Sequence, residues 1–239
     1  MRRLFGASIA SRIQQAHIAV VGIGGVGSWA AEALARSGVR HITLIDMDHI
    51  AESNINRQLH ALTTTVGQSK VQAMCERIHL INSECQVHTI DDFITPENTD
   101  SLLNNHVDLV IDAADQVSAK IALAAWALRS SKPLVTVGAA GGKKLAHLVQ
   151  MADLSDVTHD PLLAQVRQGL RKLQFQVAPK HSCGINAVFS KEPVTRPDFV
   201  ENQSTPDNTL NCHGYGSLVT VTATFGQCAA GWALNYFSG

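Results

Sequence analysis

The sequence predicts an α/β fold, a mostly parallel sheet with helices on both faces and an elaborated C-terminal part. Three observations predict it. Short apolar runs alternate with helix-patterned segments through the first half of the chain. Those runs are apolar along most of their length, as strands buried on both faces are. The first of them, Ala19-Val20-Val21, feeds directly into the glycine-dense turn Gly22-Ile23-Gly24-Gly25-Val26-Gly27-Ser28, which opens a helix.

Taken in order, His17–Val21 is the first strand and residues 28–37 the first helix, stopped at Gly38, a residue suited to a C-terminal cap. Residues 42–45 form the second strand and end at Asp46. After a polar, irregular stretch, residues 67–81 place Val71, Met74, Ile78 and Ile81 at helical spacing. Gln86–Ile90 is a short strand. Thr95-Pro96-Glu97 opens a helix with proline at its first position, where its missing N–H is not needed. Residues 107–111 and Leu134–Val137 are apolar strands flanking a helix over 117–129. Beyond Gly138-Ala139-Ala140-Gly141-Gly142 the pattern loosens into a strand over 145–151, a helix over 161–175 and a loop over 179–184. A crossover loop occupies about 191–212, and Val219–Tyr236 is an uncharged terminal element. One domain is expected, with an N-terminal arm over 1–16, a Rossmann-like nucleotide-binding core over 17–142 and an extension over 143–239.

Composition narrows the classes. With 239 residues, 45% of them apolar, the chain can bury a full core. A net charge of −1 excludes a uniformly basic nucleic-acid binder, while Arg167, Arg171 and Lys172 leave a local basic face open. The cysteines, Cys75, Cys85, Cys183, Cys212 and Cys228, are odd in number and form no CxxC pair. Neither a disulfide framework nor a four-cysteine zinc site is written there, and a reducing cytoplasm is expected. No signal-length apolar run precedes the first strand. From Asn208 onward there is no charged residue, and residues 218–237 are long enough to span a bilayer. Their threonines, glycines, glutamine and asparagine, with no flanking basic cluster, point instead to a buried or subunit-interface helix.

In open parallel sheets, ligands bind beyond the C-terminal ends of the strands. The glycine turn, Asp46 and Asp112 all lie at such ends, so they should face one crevice. A turn of this kind brings backbone N–H groups and a helix N-terminus against a phosphate. An acid about 20 residues later also occurs in nicotinamide binders. From Asp46 onward the chain departs from that pattern, with Asp46-x-Asp48, Asn54-Ile55-Asn56-Arg57-Gln58, Gly67-Gln68-Ser69-Lys70 and Asp112-Ala113-Ala114-Asp115. An arginine and a lysine beside the turn neutralise phosphate oxygens, and a carboxylate at a strand end seats Mg2+. Such a pair of cations suits a triphosphate that loses pyrophosphate better than a dinucleotide that leaves intact.

On these motifs, over about residues 16–142, the sequence resembles the ubiquitin-activating-enzyme-like adenylyltransferases. Within them, Val20-Val21-Gly22-Ile23-Gly24-Gly25-Val26-Gly27-Ser28-Trp29, Thr43-Leu44-Ile45-Asp46-Met47-Asp48, Asn56-Arg57-Gln58-Leu59-His60-Ala61-Leu62 and Val221-Thr222-Ala223-Thr224-Phe225-Gly226 look like the tRNA threonylcarbamoyladenosine dehydratase branch. The resemblance implies that ATP and Mg2+ activate the threonyl carboxylate of the modified adenosine beside the anticodon, and that the adenylate closes to a cyclic oxazolone. By it, Asp46 holds the ribose, Arg57 and Lys70 contact phosphates, and Asp112 coordinates Mg2+. Gly22, Gly24, Gly25, Gly27, Asp48, Asn54 and Gln58 complete the nucleotide site. It also implies a homodimer in which an N-terminal arginine reaches the partner's ATP; that arginine falls upstream of the position Arg3 matches, so either Arg2 or Arg3 substitutes for it or the true start lies upstream. Cys212 is a candidate acceptor for a sulfur-transfer or cysteine-desulfurase-type partner. The alternative is activation of a carrier protein's C-terminus, against which the missing CxxC pairs argue.

Overall fold

The computed structural model describes residues 1–103, 106–195 and 215–238. The first half alternates β1 (His17–Val21), α2 (Gly27–Arg36), β2 (His41–Ile45), α3 (Lys70–Ile81), β3 (Gln86–Ile90), α4 (Thr99–Leu103) and β4 (Leu109–Asp112), after an N-terminal α1 (Arg2–Gln15). Next come α5 (Val117–Ser130), β5 (Leu134–Val137), β6 (Val149–Asp153), α6 (Pro161–Lys172), β7 (Asn186–Ser190) and α7 (Val219–Tyr236). The strands form one seven-stranded sheet in the order β3-β2-β1-β4-β5-β7-β6. Every pairing is parallel except β6 with β7.

Alternate residues of the central strands feed two cores. Ile18, Val20, Ile42 and Leu44 face α2, α3 and α7, where Leu34, Met74, Ile78 and Phe225 close the layer. Ala19, Val21 and Val110 face the other way, against Leu123 and Trp126 of α5 and Leu163, Val166 and Leu170 of α6. Each large side chain buried this way contributes about 1.5–3 kcal/mol relative to leaving it in water. The uncharged terminal segment is therefore a core helix, as its composition predicts. Among the described residues no helix is long and apolar enough to cross a membrane.

Helix α7 lies across α2 at Gly226, where a Cβ would run into the Val26 carbonyl oxygen and press on Trp29 and Ala30. The missing side chain permits the close crossing. Several boundaries differ from those the sequence predicts. The arm is helical but broken at Gly6, whose φ is 80°. The Thr95-Pro96-Glu97 helix starts later, at Thr99, because Thr95 and Asn98 first exchange side-chain to backbone hydrogen bonds in a turn. The strand expected over 145–151 begins only at Val149, and β7 enters between β5 and β6. Much of the crossover loop expected over about 191–212, including Cys212, lies outside the described residues.

Candidate functional site

The strand ends enclose a cavity of about 390 Å³ lined by Gly22, Gly24, Gly25, Asp46, Asp48, Asn54, Arg57, Gln58 and Lys70, among others. The crevice expected from the sequence thus exists, and most of its predicted residues meet there. Gly22 has φ +83°, and a Cβ on it would sit 2.7 Å from the Ala113 carbonyl oxygen. A Cβ on Gly27, the first residue of α2, would collide with the Gly22 carbonyl oxygen, so the turn closes only without side chains at both places. Among the described residues no side chain caps α2, which leaves its N-terminus and the positive end of its dipole facing the cavity.

Asp46 sits one residue past β2 and braces the turn: its Oδ2 accepts the Ile23 N–H at 2.6 Å and its Oδ1 accepts the Asp48 N–H at 2.9 Å. Burial pushes its carboxyl above the usual range, against the downward pull of the Lys70 ammonium and those two N–H groups. Lys70 opens α3, is 6% exposed, and places its Nζ 2.6 Å from Asp48 and 4.0 Å from Asp46. It stands paired but at the cavity wall. Arg57 donates from Nη1 to the Ser53 carbonyl oxygen at 2.7 Å and to Asn56 Oδ1 at 3.0 Å. Among the described residues, those bonds set the guanidinium without using its Nε or Nη2 donors. Asn54 Oδ1 accepts the Ala51 N–H and holds the short helical turn that presents Arg57 and Gln58. Gln58 is 6% exposed, and its Oε1 has no hydrogen-bond partner among the described residues.

Two predicted residues stay out of the lining: Gly27, which shapes the turn from within α2, and Asp112, whose place in the structure does not fit the expected Mg2+ seat. Asp112 is the last residue of β4 and 0% exposed. Its Oδ2 meets the Lys120 ammonium at 3.1 Å and accepts the Thr136 hydroxyl at 2.6 Å, while its Oδ1 accepts the Ala114 N–H at 3.2 Å. Lys120 and Thr136 are themselves 0% exposed. The carboxylate is thus committed to a core ion pair beneath the cavity floor. Asp115, three residues on, is exposed and lines the cavity. One carboxylate is enough for Mg2+, which keeps most of its waters and takes its remaining ligands from substrate phosphates. Sequence reasoning missed Lys120; the signal was an aspartate inside a wholly buried strand, which demands a countercharge. It also missed the apolar rim, where Met47 and Phe93 are 48% and 46% exposed.

A glycine turn, an uncapped helix N-terminus, an acid one residue past the second strand and two cations in one cavity define a class, that of Rossmann-like nucleotide-binding domains equipped for phosphate chemistry. The chain belongs to the ThiF family, which matches residues 1–239. Among its relatives, a tRNA threonylcarbamoyladenosine dehydratase of Haemophilus influenzae is 50% identical over 226 residues, covering 94% of this chain and 86% of the relative. The crystal structure of the Escherichia coli tRNA N6-threonylcarbamoyladenosine dehydratase in complex with ATP is 43% identical, with a TM-score of 0.89 over 99% of this chain and 91% of that one. The same E. coli enzyme in complex with AMP superposes equally well, at a TM-score of 0.89.

Proposed function

We propose that this chain is an enzyme that dehydrates threonylcarbamoyladenosine on tRNA to its cyclic oxazolone form, at the expense of ATP. The observation that carries the reading is the meeting of Arg57, Lys70 and Asp115 around the turn that Asp46 braces. ATP lies with its ribose toward Asp46 and its phosphates along the turn, where the first N–H groups of α2 and the two cations face them. The threonyl carboxylate attacks the α-phosphorus and pyrophosphate leaves. Arg57 and Lys70 stabilise the charge that collects on the departing oxygens. The carbamoyl oxygen then attacks the acyl carbon, a carbamoyl nitrogen gives up its proton as the ring closes, and AMP departs with one carboxylate oxygen, so that relative to the free acid the net loss from the nucleoside is water. Mg2+, held at Asp115 and by phosphate oxygens, would neutralise charge on the leaving pyrophosphate.

Two copies of the chain per molecule, a cytoplasmic setting and a sulfur-transfer partner at Cys212 extend this proposal from the sequence; Cys212 lies outside the described residues. The deciding experiment is isotope exchange between ATP and pyrophosphate. Exchange should depend on tRNA carrying threonylcarbamoyladenosine and fall about 10²–10³-fold in Asp115→Asn or Lys70→Ala. Exchange driven by a carrier protein, with none driven by the modified tRNA, would transfer the assignment to the carrier reading.

A further inference from the structure

Along the sheet order β3-β2-β1-β4-β5, the cavity presents Phe93 beyond β3, Asp46 beyond β2, the glycine turn beyond β1 and Asp115 beyond β4. A nucleotide with its ribose at Asp46 and its phosphates on the turn fills the first part of that row. The stretch that remains for the attacking carboxylate is the wall beyond β5, made of Gly138, Ala139 and Ala140 with Leu162 of α6. None of these side chains has a polar group to fix the wall's shape. The shape is imposed from behind.

Asp160 does this. It is 3% exposed and immediately precedes α6. One oxygen, Oδ1, accepts the Leu163 N–H at 2.9 Å and caps the helix; the other, Oδ2, accepts the Ala139 N–H at 2.9 Å. Fit is close enough that a Cβ on Gly138 would overlap Oδ2. Capping alone would use one oxygen, and an exposed carboxylate would serve for that. Here a second oxygen is buried against the wall, although burial pushes this carboxyl above its usual range, opposed by the Leu163 and Ala139 N–H groups and then by Lys143 and Lys120. The far end of the segment is tied separately, Gly142 N–H to the Gly216 carbonyl oxygen at 2.9 Å and Lys143 Nζ to the Glu192 carbonyl oxygen at 2.7 Å. Gly138 is anchored to β7 by its N–H, which donates to the Val188 carbonyl oxygen at 2.8 Å, so the part of the wall that Asp160 holds is Ala139 and the turn it leads into.

We propose that Asp160 is a positioning residue for the acyl-acceptor half of the site, holding the wall against which the threonyl carboxylate is aligned with the α-phosphate. This rests on the adenylating reading above. The test is Asp160→Asn, which keeps an oxygen to cap α6 and loses the acceptor at Ala139. Asp153→Asn serves as control, because Asp153 braces a loop outside the cavity through Ser155, Ser182 and Gly184. In Asp160→Asn, amide hydrogen exchange at Ala139 and Ala140 should quicken at least tenfold, while the Kd for ATP stays within about twofold of wild type. With modified tRNA, kcat/KM should fall tenfold or more; Asp153→Asn should change thermal stability and leave kcat/KM in place. Unchanged exchange at Ala139, or an ATP affinity that falls in step with kcat/KM, would overturn the proposal. A wild-type chain that consumes no ATP with modified tRNA would overturn the functional reading instead, and the exchange arm would still report whether Asp160 holds the wall.

Discussion

Replacing Asp112 by alanine tests the distinction between the aspartate under the cavity floor and the one on its wall. The substitution leaves the Lys120 ammonium at 0% exposure without its carboxylate and deprives the Thr136 hydroxyl of its acceptor. Removing one member of a buried pair costs about 3–5 kcal/mol, because the other charge stays desolvated. Against a domain stability of about 5–15 kcal/mol, that is a large share. Urea unfolding followed by tryptophan fluorescence reads it, since Trp126 is packed in the adjoining core. The midpoint should fall steeply with little change in slope. Asp115→Ala, on an exposed wall position, should unfold at the wild-type midpoint and lose pyrophosphate exchange. A cycle adding Lys120→Met isolates the pair, and the double variant should recover part of the loss. The reasoning fails if Asp112→Ala is as stable as wild type while ATP turnover disappears.

Geometry and charge set two more outcomes. Gly226→Ala should cost about 1–3 kcal/mol, measured by thermal melting, and should weaken ATP binding too, because shifting α7 moves Thr222 in the cavity wall. His60 is 2% exposed with neither ring nitrogen partnered among the described residues, and burial, then Lys70 and Arg77, push its pKa down to about 4. An unfolded histidine takes its proton near 6.5, so the unfolded chain binds more protons between the two values and stability is lost as pH falls from about 6.5 to 4, by up to about 3 kcal/mol. His60→Gln should flatten that part of a stability-against-pH curve, and an unaltered slope would assign it to other groups.

The legibility of the molecule tracks its repetition. Parallel βα units read well because the central strands are apolar along most of their length and their covering helices have periodic faces, and α7 runs over Val219–Tyr236 as its composition suggests. Legibility fails where pairing is not local. Strand β7 depends on neighbours contributed by β5 and β6, and nothing in Asn186–Ser190 announces them. The meeting of Gly22, Asp46, Arg57 and Lys70 in one cavity is legible because all four follow from the ends of strands in a parallel sheet or from motifs close behind them. Asp112 and Asp115 share one short motif, and which of them turns inward depends on a lysine one helix further along and a threonine on the next strand. That information belongs to packing, not to spacing.

Thr222, a wall residue of the cavity, comes from α7, the last of the described helices. During synthesis the glycine turn and its strands leave the ribosome long before the helix that covers them. Until then the apolar face that Phe225 and Ala229 will cover stays wet, a state prone to association with other nascent chains. A message that stops before α7 therefore yields not a weaker enzyme but a half-open sheet, and ATP cannot reward folding until α7 has been made.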